Sequence, residues 1–183
     1  MKKWKFDSQK FSNLVHYIIW KCPEQAKLGS VKLHKILWKS DTSFYLQHRR
    51  PITGVRYTRR EWGPTADALL STRELLQRAG KIRFWRDKGF AFGHPKDVYE
   101  AKKAPPVGFL SRDEQQTVDF WINEICLKHT AESISDETHG YAWEIIPQGA
   151  EMPVEAILME RGREPEGEEL EWAMNEARKR GLI

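Results

Sequence analysis

The chain contains little cysteine: two residues, Cys22 and Cys126, in a sequence of 183. Both fall on the apolar faces of predicted helices, where a thiol fills core space in the reduced state. This excludes a small disulfide scaffold and is typical of a cytoplasmic protein. The first residues, MKKWKFDSQKF, lack the apolar stretch of a secretory signal. No apolar run approaches the ~18 residues of a membrane span, so we expect a cytoplasmic protein without a membrane segment.

The sequence also lacks the short patterns of common catalytic, metal-binding and cofactor-binding sites. Neither H-x-x-x-H nor C-x-x-C occurs, and no Walker A, G-x-G-x-x-G or G-x-S-x-G pattern is present. Ser135, Asp136 and His139 lie within five positions of one another, which is too close for the geometry of a catalytic triad. We therefore expect no enzyme, no metal and no cofactor. Local turn or cap bonds for Asp136 and Thr138, and a hydrogen bond from His139 to the fold, are the expected roles.

Apolar residues at helical spacing are abundant, and they predict a mainly α protein. In the first predicted helix, for example, such residues recur at intervals of three and four from Phe11 to Cys22. The predicted helices span 8–22, a segment from an N-cap at Ser30 to the stop at Pro51, 66–79, a segment opened by a Ser111–Glu114 capping box, and 168–180. We expect about five helices in one compact domain.

Two short stretches predict small antiparallel β elements beside these helices. Thr53-Gly54 turns the chain, residues 55–62 are typical of a strand, and Gly63-Pro64 ends that strand before the next helix. Alternation places Val55 and Tyr57 on a half-buried face and the arginines at 56 and 60 on a basic face. A hairpin is predicted from residues 82–85 and 90–92, which flank a turn sequence.

Charge is divided unevenly along the chain. Residues 1–110 carry 23 Lys/Arg against 9 Asp/Glu, a net +14, and residues 111–183 carry 7 against 17, a net −10. An acidic end that pairs with a basic body would explain the division, and so would an acidic partner or nucleic acid that meets the basic part.

Basic and aromatic residues interleave in two places. These are Arg49, Arg50, Arg56, Arg59 and Arg60 with Tyr57 and Trp62, and Lys81, Arg83, Arg86 and Lys88 with Phe84 and Trp85. Basic groups attract phosphates and aromatic faces stack on bases. Arg, Tyr and Trp are equally typical of protein interfaces, so composition leaves both interpretations open.

Two motifs carry a resemblance to a known family. The first is a helix followed by RPITGVRY and then Trp-Gly-Pro, and the second is SDETHG followed closely by a tryptophan at 143. In this order they resemble the Panacea domain, also called the SocA-like or phage-associated GepA-like domain, over roughly residues 11–159. The positions that form the two motifs are Pro51, Gly54, Gly63, Pro64, Ser135, Thr138 and His139. The resemblance implies an antitoxin domain over residues 1–160, and residues 161–183 are then an acidic extension with a terminal helix.

Members of that family are antitoxins that bind and neutralise varied toxins, and one member delivers its toxin to a protease. The resemblance therefore implies a non-enzymatic antitoxin whose partner is a cognate toxin protein. We expect the toxin to contact the strand and its flank, through Arg56, Tyr57, Arg59, Arg60 and Trp62. The alternative is a phage or host regulator that binds nucleic acid with the basic half, and a weaker one is a proteolytic adaptor. If nucleic-acid binding occurs in an antitoxin, we expect it to be weak.

Overall fold

A computed structural model of the chain describes residues 4–88 and 95–161, together with positions 171, 174, 175 and 178. The fold is mainly α with two small antiparallel strand pairs, as the sequence predicts. The elements are α1 (Ser8–Lys21), α2 (Gln25–His48), β1 (Tyr57–Arg60), β2 (Gly63–Ala66), α3 (Leu69–Arg78), β3 (Ile82–Asp87), β4 (Lys96–Ala101), α4 (Arg112–Lys128), α5 (Ala131–Glu137), α6 (Tyr141–Ile145) and a 3-10 helix (Val154–Arg161). No helix in these described ranges is long and apolar enough to cross a membrane.

Helix α1 agrees closely with its prediction. The side chain of Asp7 caps it by accepting a hydrogen bond from the backbone N–H of Lys10 at 2.8 Å. The apolar residues between Phe11 and Ile19 are buried, whereas Trp20 is 44% exposed, and the helix ends at Lys21, shortly before Pro23. The capping box that opens α4 is also confirmed, since the Ser111 hydroxyl and the Glu114 carboxylate each accept a hydrogen bond from the other's backbone N–H.

Helix α2 is the central element, with packing contacts to α1, α4, α5, β2, β4 and the 3-10 helix. It begins earlier than predicted, at Gln25, and a kink at Gly29 (φ 63°) interrupts it. Ser30 does not serve as the predicted N-cap. Its hydroxyl instead donates to a carboxylate oxygen of Asp97 at 2.5 Å and lies 2.7 Å from the hydroxyl of Tyr99, which ties α2 to β4.

The prediction of a single strand over residues 55–62 is wrong. The chain turns at positions 61–62, and residues 63–66 return as β2, with Tyr57 opposite Ala66 and Arg60 opposite Gly63. The helix predicted at residue 66 consequently begins at Leu69. Gly63 permits this turn because its φ of +95° is rarely adopted by other residues. On the other side of β1, the backbone of residues 149–152 bonds to residues 57 and 59, which also buries Thr58 on the face predicted to be basic.

In the second strand pair, β3 lies where the sequence predicts it but its partner differs. β4 is formed by residues 96–101, with Ile82 opposite Ala101. The partner predicted at residues 90–92 lies outside the described residues, and so does most of the helix predicted at 168–180, where the four described positions are helical. The division of the chain at residue 160 stays a prediction.

Ion pairs between the two oppositely charged halves are present. The carboxylate of Glu114 is 2% exposed and binds Lys10 at 2.8 Å and Arg50 at 3.0 Å. Burial opposes its ionisation, but hydrogen bonds from Lys10 and from the Ser111 backbone lower the pKa of Glu114. Lys39 binds Glu137 at 2.7 Å in the same way. Part of the charge asymmetry is therefore satisfied inside the molecule.

A hairpin held by two buried motifs as the candidate partner-binding site

The tip of the β1–β2 hairpin sits on a buried lysine. Lys35 of α2 is 1% exposed, and its ammonium group donates a hydrogen bond to the backbone carbonyl of Trp62. Burial, together with the charge of the nearby Lys39, lowers the pKa of Lys35 to about 7. A Cβ atom at Gly63 would overlap the Lys35 amine, so this position needs glycine for space as well as for its positive φ.

Helix α5 reaches the same hairpin tip from the other motif. The Ser135 hydroxyl is 3.5 Å from the Trp62 carbonyl oxygen that Lys35 also binds. The Thr138 hydroxyl donates to the backbone carbonyls of Ile134 and Ser135, the local bonds that the sequence predicts, and it lies beside Gly63. Two motifs that are 73 residues apart in sequence thus meet around one peptide unit.

The ring of Trp143 links the motif in α5 to β1. His139 stacks on it with ring centroids 3.8 Å apart, and the Arg59 guanidinium lies 4.0 Å from its centroid. Arg59 also donates to the Trp143 carbonyl at 2.9 Å, and the indole N–H donates to the Arg60 carbonyl at 3.1 Å. These contacts fix the outer end of β1 against α6.

His139 departs from its predicted role. Its Nε2 atom is buried and finds no hydrogen-bond partner among the described residues, so the ring is held at this side by stacking. Burial lowers the pKa of His139, and the charge of Lys35 lowers it further. A neutral imidazole is the form that stacks on an indole without desolvating a charge. The Ser135 hydroxyl points to the Trp62 carbonyl, which is a structural use of that group.

Some of the five predicted partner-binding residues are exposed and can contact a partner, whereas others hold the hairpin in place from within the fold. Trp62 is 59% exposed, and Arg56 and Arg60 are exposed as well. Arg59 is half-buried against Trp143. Tyr57 differs, because it is 1% exposed and its hydroxyl donates to Asp41 at 2.7 Å. Tyr57 therefore supports the strand from within the core.

The support extends along α2 through two further polar side chains, the buried Asp41 and the partly buried His34. Asp41 accepts hydrogen bonds from the backbone N–H of Ile52 at 2.7 Å and from Tyr57, and burial raises the pKa of Asp41 to about 6. His34 accepts from the backbone N–H of Ala66 at 3.1 Å, and burial lowers the pKa of His34 to about 4. Sequence reasoning missed both residues and Lys35. Their signal was polar residues on an otherwise apolar helix, with His34 and Asp41 seven positions apart and so on one face.

The turn before β1 uses two further motif residues, Pro51 and Gly54, while Pro64 lies in β2 opposite Arg59. Pro51 is buried just beyond the end of α2, whose cap residue Arg49 has a φ of 57°. Gly54 has a φ of 69°, and a Cβ atom there would lie 2.6 Å from the Lys5 carbonyl oxygen. The N-terminal segment can pass over the turn because no side chain projects at this point.

A second basic and aromatic region lies on β3. The Arg83 guanidinium lies 4.9 Å from the Trp85 ring, and Arg86 binds Asp97 at 3.1 Å. Phe84 is covered by Arg73 of α3 at 3.8 Å. Within the described residues, no group of three or more His, Cys, Asp and Glu side chains could hold a metal ion.

Comparison with known proteins gives one family. A family model described as Antitoxin SocA-like, Panacea domain matches residues 33–144, well over half of the chain. The match runs from α2 to α6 and contains both hairpins and all the groups that meet at the Trp62 carbonyl. No curated protein and no solved structure matched the chain.

Proposed function

Since this chain belongs to the SocA-like Panacea antitoxin family, we propose that it is the antitoxin of a toxin–antitoxin system and acts by binding its cognate toxin directly. Membership of an antitoxin-like family suggests a non-catalytic role and a toxin partner in general. We further propose that the antitoxin neutralises the toxin in the cytoplasm by covering it through direct protein–protein contact, and that one surface of the chain makes this contact.

The observation that carries the proposal is an exposed tryptophan on a firmly held turn. We define the hairpin surface as Arg59, Arg60, Trp62 and Trp143. Trp62 is 59% exposed, while its own carbonyl is bound from below by α2 and α5. Tryptophan and arginine are the residues that most often dominate binding energy at interfaces. A turn that is already fixed loses less conformational entropy when a partner binds.

The charged groups near this surface favour an acidic patch on the toxin. The Arg60 side chain is exposed and makes no hydrogen bond or ion pair with the part of the chain that the structure describes. Arg56 already binds Asp67 at 2.5 Å, and Arg59 is occupied by Trp143. Of the three arginines, Arg60 would therefore form the most favourable ion pair with a toxin carboxylate, because it has no competing partner among the described residues. Trp62, close to it in sequence, would provide the apolar contact.

The test begins with a neighbouring gene whose expression stops growth and is rescued by this chain. Its product is then titrated against wild-type protein and against the double variant Arg60→Glu/Trp62→Ala. We expect at least a thirtyfold loss of affinity, about 2 kcal/mol, with an unchanged melting temperature. Arg56→Glu is unsuitable because it would place a second carboxylate beside Asp67.

The matched control is Arg112→Glu, a charge reversal at an exposed side chain in the first turn of α4 that makes no ion pair with the described residues. It should bind the toxin as tightly as the wild type. If the double variant also binds and rescues growth normally, the hairpin surface is not the binding site, whatever the fate of the antitoxin assignment. If no toxin from the neighbouring genes is rescued, the antitoxin assignment itself fails.

A nucleic-acid-binding regulator is the second candidate, and the basic face of β3 is the observation that favours it. Arg83 and Trp85 pair a cation with a stacking surface there. Titration of labelled duplex and single-stranded DNA should give micromolar or weaker binding that falls steeply with salt. Nanomolar binding to a particular sequence would favour the regulator over the antitoxin. No feature of the described residues favours the third possibility, a proteolytic adaptor.

A further inference from the structure

The two cysteines, 104 positions apart in sequence, lie side by side in the fold. Cys22 follows the last residue of α1, and Cys126 lies in the last turn of α4. Their sulfur atoms are 2.9 Å apart, and both thiols are free. A disulfide bond of ~2.05 Å would require an approach of roughly 0.9 Å between the ends of two helices.

The surroundings make one of the two sulfur atoms the better nucleophile. The two sulfur atoms share a hydrogen bond in which either thiol can donate, and when Cys126 donates, this bond and one from the backbone of Glu24 lower the pKa of Cys22. The same contact and burial raise the pKa of Cys126. Lys32 is a nearby cation that favours the thiolate at both sulfur atoms, and its side chain makes no ion pair within the described ranges. Cys22 is thus suited to attack and Cys126 to follow as the resolving thiol.

The pair lies close to the surface. Cys126 is 9% exposed and Cys22 is 4% exposed, and the next residue after Cys126, Leu127, is 61% exposed. Lys21 and Pro23, on either side of Cys22, are also exposed. A small oxidant therefore needs little movement of the two helix ends to reach the sulfur atoms, whereas a protein oxidant would need more.

We propose that Cys22 and Cys126 are an oxidation site, at which a hydroperoxide converts the two thiols into a reversible disulfide between α1 and α4. The Cys22 thiolate attacks the terminal peroxide oxygen and the O–O bond breaks, which gives a sulfenic acid. The leaving alkoxide, or hydroxide from hydrogen peroxide, takes up the proton that the Cys22 thiol had released and departs as an alcohol or water. The Cys126 sulfur then attacks the Cys22 sulfur, the S–O bond breaks, and hydroxide leaves with the Cys126 proton as water. Two electrons pass from the two sulfur atoms to the peroxide.

The bond would stiffen the part of the molecule that supports the hairpin. α4 ends at Lys128, and the Thr130 side chain then caps α5, which carries Ser135 and is followed directly by Thr138. The disulfide would join two residues that are 104 positions apart. Because a closed loop of this length restricts the conformations of the unfolded chain, we expect the melting temperature to rise by about 10 °C. The readouts below do not involve toxin binding, so this inference can fail or succeed independently of the proposed function.

The first experiment treats the reduced, folded protein with hydrogen peroxide at pH 7. We expect the intact mass to fall by about 2 Da, the loss of two hydrogen atoms, and a peptide that joins Cys22 to Cys126. Dithiothreitol should restore both the mass and the lower melting temperature. A chain that keeps two free thiols, gains oxygen without losing hydrogen, or forms only intermolecular disulfides would overturn the proposal.

Three variants test the assigned order of attack and the role of the cation. Cys126→Ser should leave a sulfenic acid on Cys22 that dimedone traps, whereas Cys22→Ser should react much more slowly. Lys32→Met should slow oxidation of the intact pair by roughly threefold to tenfold at pH 7, since less thiolate forms. Lys102→Met is the control, because that lysine pairs with Glu100, is 46% exposed, and acts on neither thiol. Equal rates in Lys32→Met and the wild type would refute the role assigned to Lys32.

Discussion

Replacing Lys35 with methionine should remove a pH dependence of stability that the wild type shows above neutral pH. The lysine has a pKa of about 7 in the folded protein, against 10.5 for an exposed side chain. Between these values the unfolded chain holds a proton that the folded chain has released. The free energy of unfolding therefore rises as the pH rises through this window.

The magnitude follows from the difference in bound protons. Integrated from pH 7 to pH 9, that difference contributes about 2 kcal/mol to the free energy of unfolding. Lys35→Met keeps the length of the side chain and leaves the Ser135 hydroxyl near the Trp62 carbonyl. The variant should consequently lose the contribution of this one group and keep those of all others, including the Cys22 thiol.

Urea denaturation at pH 7, 8 and 9, followed by circular dichroism, measures the effect. The rise in unfolding free energy should be about 2 kcal/mol larger in the wild type than in Lys35→Met. Lys27→Met, at an exposed position, should retain the wild-type rise. If Lys35→Met shows the same rise as the wild type, the lysine is charged and solvated in the folded protein, and the buried contact with the Trp62 carbonyl is wrong.

Three further predictions concern the same region. Gly63→Ala should lower the unfolding free energy by more than 2 kcal/mol in urea titration, because its Cβ atom overlaps the Lys35 amine; Gly80→Ala, also at positive φ but in open space, should cost about 1 kcal/mol. His139→Ala should cost about 1 kcal/mol through its lost stacking on Trp143, and a loss above 3 kcal/mol would instead indicate a buried hydrogen bond. Asp41→Asn should make the unfolding free energy rise more steeply than in the wild type, by up to about 1.4 kcal/mol per pH unit between pH 4 and 6. There the raised pKa of the aspartate lowers stability as pH increases, and an unchanged slope would contradict its burial as an acid.

Much of the helical framework could be predicted because it depends on local signals. The bounds of α1 and the capping box of α4 follow from apolar spacing, from Pro23 and from residues that cap their own helix. The β1–β2 hairpin was missed because Gly63-Pro64 also indicates the end of a strand, and the choice depends on Lys35, far away in sequence. The short helices α5 and α6 contain too few turns to show a period, so they are absent from the helices that the sequence predicts.

The buried polar groups of α2 were beyond prediction for a different reason. Lysine, histidine and aspartate are seldom fully buried, so their sequence positions are more typical of a solvated face. Removing each group from solvent is tolerated only because the hairpin provides a hydrogen-bond partner. The Ala66 N–H is the partner of His34, and the Tyr57 hydroxyl is the partner of Asp41. The candidate contact residues were easier to propose, since exposed arginine and tryptophan near a turn indicate an interface without any knowledge of the core.

The position of the hairpin and the contacts it offers are therefore separate properties of the molecule. Lys35, His34 and Asp41 set where the hairpin lies on α2 by binding its backbone and Tyr57. Buried polar groups of this kind add little net stability, but they penalise any arrangement that leaves them without partners. The side chains of Trp62 and Arg60 lie outside this network and can change without disturbing it. An antitoxin built in this way could alter its contact residues to suit a different toxin while the buried support stays the same, so a change of specificity should be sought at the exposed tip.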